Sequence, residues 1–355
     1  MTNRRVLAAA ITVAVLGGGS VAFVMWRSTA EREERVQTLV DAVASELALE
    51  KPEPADLRDL LRDVRARNET DPHTALRLAE SELLVALGRQ GEAWNVLAPL
   101  VLAPGVSAEI TRVGARVAAA YHAISGDPAV GRHALAFASD NASSRGDDSE
   151  ADAAFFRALA WQSAFRIGDA TAWAEATSAA LAESASGADV RAIRLLARPL
   201  AGLLAARLGI DPSAASDAPA SALAAIVRDA PASARRGVED AMDAWPASRA
   251  EFDLALAAMT IEELGAVGGA NADAEGERQL RGALERCELA LAAQPSSCDA
   301  RHVAVIAYAG LRQAYGLRDD DLVRLRGHLR WLLGNAPQSH AARPVWQQLE
   351  AALRQ

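Results

Sequence analysis

Apolar residues three and four positions apart, cut at intervals by single glycines or prolines, run through almost all of residues 55–355. A chain patterned this way packs as helices. The clearest stretch is His73 to Pro104, where Leu76, Leu83, Leu84 and Leu87 share one face of a helix that Gly88 ends. Ala93, Val96, Leu97 and Leu100 face back from a second helix. Such a pair cannot bury both faces alone and needs neighbours stacked against it. Alanine, leucine, arginine and glutamate dominate and aromatic residues make up 5% of the chain, a helical composition. The expected fold class is therefore all-α.

Ahead of this body, Val6 to Trp26 carries no charge and follows Arg4 and Arg5. As a helix the run would span about 31 Å, the thickness of a bilayer's hydrocarbon core. A cleaved signal peptide, cut after Ser20-Val21-Ala22, is the rival reading. Its apolar core should stop near that site, whereas Phe23, Val24, Met25 and Trp26 continue it. The expectation is an uncleaved, single-pass signal anchor with the N-terminus in the cytoplasm and the body exported.

Residues 1–5 form a short tail, 6–26 the anchor, and 27–54 a juxtamembrane helix with a linker at Lys51-Pro52-Glu53-Pro54. In that helix Val36, Val40, Val43 and Leu47 make a heptad seam of under two repeats, shorter than a stable coiled coil needs. Packing on the following domain, or a stalk, is the leading reading. With the small residues of the anchor, the seam also offers a weak homodimer contact. Helical repeats are expected over 55–264 and 275–355, with the glycine-rich segment 265–274 as a loop or hinge.

The repeat pattern resembles the tetratricopeptide repeat. Ser81, Gly88, Ala93, Leu97 and Pro104 fill its small, turn, alanine, large apolar and closing positions, the proline one residue early. A second unit offers Ala119, Gly126, Gly131 and Leu135. In a third, Gly168 makes the turn, but Trp161 and Trp173 stand where small residues belong, so packing there must differ. Ala283, Cys287, Ala290 and Pro295, then Leu325, Leu329, Leu332 and Pro337, fit second helices near the C-terminus. Residues 343–354 would cap the stack, with Val345, Leu349 and Leu353 inward. The resemblance implies a degenerate α-solenoid of helical hairpins whose first helices line a groove for protein or peptide partners. By position those groove residues are Arg77, Glu80 and Leu84 in one unit and Arg112, Arg116 and Tyr121 in the next.

The chemistry-bearing residues form no catalytic pattern. Six histidines, at 73, 122, 133, 302, 328 and 340, include no zinc-hydrolase pair. His122 and His133 straddle the Gly126 turn without the further ligand that a metal site needs. Gly265-Ala266-Val267-Gly268-Gly269 follows a helix, where a phosphate loop follows a strand. Asp319-Asp320-Asp321 suits a helix N-terminus and lacks calcium-loop spacing. Cys287 and Cys298 are too few for a disulfide framework and read as small core residues more readily than as a bonded pair.

A net charge of −9 argues against nucleic acid, and no cofactor or metal is expected. Lys51 is the only lysine, a mark of a GC-rich bacterial genome. Together these readings suggest a non-catalytic scaffold in a bacterial envelope complex, held at the cytoplasmic membrane. The alternatives are a helical-toroid enzyme of the lytic-transglycosylase kind, with Glu80, Glu109 or Glu263 as its acid, and a cytoplasm-facing regulator.

Overall fold

A glycine in the left-handed region ends one helix and an aspartate opens the next at two turns of the chain, those of Gly126 and Gly168. At Gly168 (φ 80°) the amide of Gly168 donates to Phe165 O and that of Asp169 to Ala164 O, the paired bonds of a Schellman turn. Asp169 then accepts the amide of Ala172 at 3.0 Å, capping the following helix. Gly88 ends its helix with the same paired bonds. Gly126 and Asp127 repeat the left-handed glycine and the aspartate cap, with Asp127 Oδ1 accepting the amide of Ala129 at 2.8 Å.

The computed structural model describes residues 31–49, 51–143, 150–182, 187–211, 218–230, 235–244, 248–266 and 274–354. The anchor expected at 6–26 and most of the hinge expected at 265–274 lie outside them. The described residues are all-helical, and no helix among them is long and apolar enough to cross a membrane. After α1 (31–47) come α2 (Pro54–Thr70), α3 (Thr74–Ala86), α4 (Gln90–Val101), α5 (Ala108–Ser125), α6 (Pro128–Ser143), α7 (Glu150–Ile167) and α8 (Ala170–Ala182). The remainder are α9 (Ala188–Leu208), α10 (Ala218–Asp229), α11 (Arg235–Ala244), α12 (Arg249–Ala266), α13 (Ala274–Ala293), α14 (Cys298–Ala314), α15 (Asp319–Asn335) and α16 (Arg343–Ala352).

The chain divides into two units, Met1–Pro104 and Gly105–Gln355. The first holds α1–α4. Leu76, Leu83, Leu84, Ala93 and Leu97 are fully buried between α3 and α4, as their spacing predicts. Val36 and Val43 of the heptad seam are buried as well, so α1 packs within its own unit. Arg32 of α1 forms an ion pair with Asp71, which Arg67 also holds at 2.9 Å.

In the second unit α7 and α12 are covered on nearly every side. Trp161 and Trp173 meet with ring centroids 5.9 Å apart, and the Trp161 indole donates to Thr177 Oγ1 at 3.0 Å. Both tryptophans are fully buried, which explains why small residues are absent there. Every residue from Ala250 to Ala257 is buried, Glu251 and Asp253 included, so α12 shows no amphipathic stripe. α12 packs on α9, α11, α13 and α14, and the helices on either side of the glycine-rich segment belong to one unit.

Contacts also reach beyond neighbouring hairpins. Ser296, between α13 and α14, donates to Ala123 O at 2.8 Å beside the Gly126 turn. The amide of Ala341 donates to Ala206 O at 2.9 Å. At the C-terminal helix one expectation is corrected: Val345 is 59% exposed, and Trp346, one position on, is the buried anchor together with Leu353. Leu349 and Leu353 face inward as expected, and Trp346 takes the place of Val345, its indole packed against His302 and His340.

Candidate functional site

Two concave surfaces in the second unit bring polar and apolar side chains together. The first lies between α5 and α7, the leading helices of successive hairpins. Ala119 and Ala120 keep the α5 side shallow, and Ala158 and Leu159 continue the floor on α7. Phe155, 37% exposed, and Arg116 line the same cavity of about 300 Å³. Gln162 and Arg166 close one end. Arg166 is held by Glu251 of α12 at 2.8 Å, and Glu251 also accepts from Gln294 at 2.7 Å. Gln162 joins this buried network through Ser248 and Glu251. The groove therefore includes a fixed polar network, and two exposed residues, Arg116 and Phe155, line it as well.

The second surface is a cavity of about 330 Å³ where the Gly126 and Gly168 turns meet the loop between α13 and α14. Buried Arg207 from the end of α9 lies along one wall, 3.1 Å from Asp299 and stacked over Phe165 at 5.0 Å. It also donates to the carbonyls of Phe165 and Arg166, satisfying the last turn of α7. Burial raises the Asp299 carboxyl above the usual range, and Arg207 opposes that shift. Among the described residues, Asp299 Oδ1 and Arg207 Nε have no hydrogen-bond partner. Burial also lowers the pKa of His122, whose Nδ1 donates to Asp127 O at 2.8 Å. The adjacent thiol of Cys298 is pushed up to about 12, mainly by burial. These groups hold the turns together and offer no activated nucleophile.

The positions expected to form a partner groove fall in different surroundings. In the first unit Leu84 is a core residue, Arg77 is half-buried, and Glu80 is buried in an ion pair with Arg65 at 2.7 Å. In the second unit Arg112 and Tyr121 are half-buried on α5, while Arg116 is exposed and reaches the α5/α7 groove. Phe155 was not signalled, because only the pairing of α5 with α7 brings it into the same cavity as Arg116. Arg207 and Asp299 lie far apart in sequence, and no local pattern joins them.

The remaining candidates serve packing. His133 stacks on Phe137 at 5.8 Å, and His73 caps α3 by accepting the amide of Ala75 at 3.2 Å. His328 stacks on Tyr308 with ring centroids 6.1 Å apart. Cys287 and Cys298 are both buried and unbonded. Glu109 is exposed, and Glu263 is exposed and paired with Arg235 at 2.9 Å. None of Glu80, Glu109 and Glu263 lines either cavity. Among the described residues no group of three or more His, Cys, Asp and Glu side chains is placed to hold a metal ion. No protein-family model, curated protein or solved structure matches the chain.

Proposed function

We propose that this protein is a membrane-anchored scaffold of the tetratricopeptide-like kind that binds a protein partner along the α5/α7 groove. The observation that carries the reading is that exposed Arg116 of α5 and exposed Phe155 of α7 line one cavity together with small and apolar side chains. A peptide with one apolar side chain and a neighbouring carboxylate fits this pairing. The ring and floor take the apolar group, and the guanidinium takes the carboxylate through paired hydrogen bonds. The charge-free run Val6–Trp26 supports placement of this surface at a bacterial cytoplasmic membrane, with the body exported.

Site-specific photocrosslinking of the full-length protein from position 155 in native membranes tests the reading. A discrete crosslinked partner that disappears with Arg116→Glu is the expected result. Uniform background labelling that Arg116→Glu does not change would sink it. Reporter fusions at the C-terminus, one active only in the cytoplasm and one only outside it, test the placement. Activity of the cytoplasmic reporter alone would overturn the exported orientation.

A further inference from the structure

A basic cavity lies at the other end of the second unit, between α15 and the end of α16. Arg326, Arg330, Arg354, Glu350 and Leu353 line about 370 Å³. Three guanidiniums and one carboxylate meet there in a chain whose net charge is −9. Arg354 is paired with Glu350 at 2.8 Å. Arg326 donates to Leu353 O at 2.9 Å, and Arg312 reaches Ala352 O at 3.4 Å. Cations at the last carbonyls of a helix are favourable, and this accounts for Arg326. It does not account for Arg330, which forms no hydrogen bond or ion pair among the described residues.

Arg326 and Arg330 are four positions apart on one helix, an arrangement of like charges that costs a few tenths of a kcal/mol. Val323, 69% exposed, precedes Arg326 by three positions and shares its face. The outer stripe of α15 therefore runs from an apolar side chain to two guanidiniums beside a concave, net positive pocket.

We infer that this pocket binds a phosphate oxyanion, with Arg330 as its principal ligand and Arg326 and Arg354 completing the positive wall. A planar guanidinium matches two phosphate oxygens at once, and an anion relieves the repulsion between Arg326 and Arg330. The oxyanion comes from the phosphodiester of an acidic lipid headgroup or from free phosphate. Exposed Val323 on the same stripe favours the lipid.

Calorimetric titration of the full-length protein in phosphatidylcholine nanodiscs tests this at constant ionic strength. The titrants are inorganic phosphate and short-chain dihexanoyl phosphatidylglycerol, with dihexanoyl phosphatidylcholine as the control for partition into the disc. Saturable binding that weakens about tenfold in Arg330→Gln is expected, the loss of one charge-assisted contact. Arg330 is exposed and makes no hydrogen bond or ion pair among the described residues, so this variant leaves the fold intact, as its circular dichroism will show. Arg330→Lys should recover part of the affinity, since charge survives and the paired geometry does not. Weakening of the lipid alone by Val323→Ser identifies the headgroup as the source. Equal affinity for both titrants, with no effect of Val323→Ser, identifies free phosphate. Absence of saturable binding by either titrant, or unchanged affinity in Arg330→Gln, overturns the proposal.

Discussion

Trp346 donates its indole N–H to Nδ1 of His302 across 3.3 Å, and the ring of His340 lies 4.9 Å from that of His302. The second imidazole accepts the amide of Ala342 at its own Nδ1, 3.1 Å away. Each ring thus points its basic nitrogen at a donor, and neither can take a proton there without losing that bond. Burial lowers the pKa of both to about 4, helped at His302 by His340 and at His340 by Arg207 and Arg343. The unfolded chain binds these protons near pH 6.5. Between about 6.5 and 4 the unfolded state therefore holds more protons, and stability present at neutral pH is lost as pH falls. The two rings together should give a slope approaching about 2.7 kcal/mol per pH unit in that window. Urea unfolding followed by tryptophan fluorescence at pH 7, 6 and 5 measures the slope. A slope equal to that of His302→Gln/His340→Gln would refute the assignment.

Glu251 is 1% exposed and compensates Arg166, while Gln294 fills part of its remaining capacity. Glu251→Ala leaves a part-buried guanidinium without its carboxylate and should cost about 2–3 kcal/mol, below the full penalty for an enclosed charge. Converting both partners, as Glu251→Leu/Arg166→Met, should recover much of that loss, because two apolar side chains need no compensation. Chemical denaturation of the single and double variants checks the pair; additive losses would mean that the two charges do not interact.

Two glycines within helices should respond oppositely to the same substitution. A Cβ at Gly131 would overlap Cγ2 of Ile167 and lie 2.9 Å from Cε1 of His122, whereas one at Gly202 meets nothing within 4 Å. Gly131→Ala should lose about 1–3 kcal/mol through overpacking, relieved in part by Ile167→Ala. Gly202→Ala should gain about 0.5–1 kcal/mol by restricting the unfolded chain. Thermal melts of the two variants give the comparison, and a shift of the same sign in both would contradict it.

Cys287 and Cys298 should both be silent toward a water-soluble disulfide reagent in the native protein. Burial is the main cause of the raised pKa of each thiol, and a protonated, enclosed sulfur attacks slowly. Two equivalents should react in denaturant. Rapid native labelling of either thiol would show that its surroundings open.

The hairpins were legible in the sequence wherever a turn depended on one residue's backbone freedom. Gly88, Gly126 and Gly168 stand in the left-handed region, and the aspartate run at 319 opens α15. Trp161 and Trp173, bulky where small residues were expected, are both fully buried in the core. Other features depended on what surrounds a helix. Nothing local in the sequence marks Glu251 and Asp253 as buried; α12 is enclosed, and each is matched by an arginine from another helix. Val345 and Trp346 illustrate the same limit at finer scale, since a three-and-four spacing finds a stripe without fixing which of two adjacent residues takes the inward place. For the groove, Arg116 was legible by position on α5, while Phe155 was not, because its role arises only when α7 is laid beside α5.

The bond from Ser296 to Ala123 spans 173 positions, and it bears on the order in which this protein is made. A ribosome releases α5 and α6 long before the loop that seals their turn exists, so the early hairpins must wait, incompletely covered, while α7 to α13 are synthesised. In an open row of repeats, trimming the last hairpin shortens the protein. Here Ser296 touches the first turn of the second unit, and a chain stopped short of the loop between α13 and α14 would leave that unit's opening hairpin unsealed.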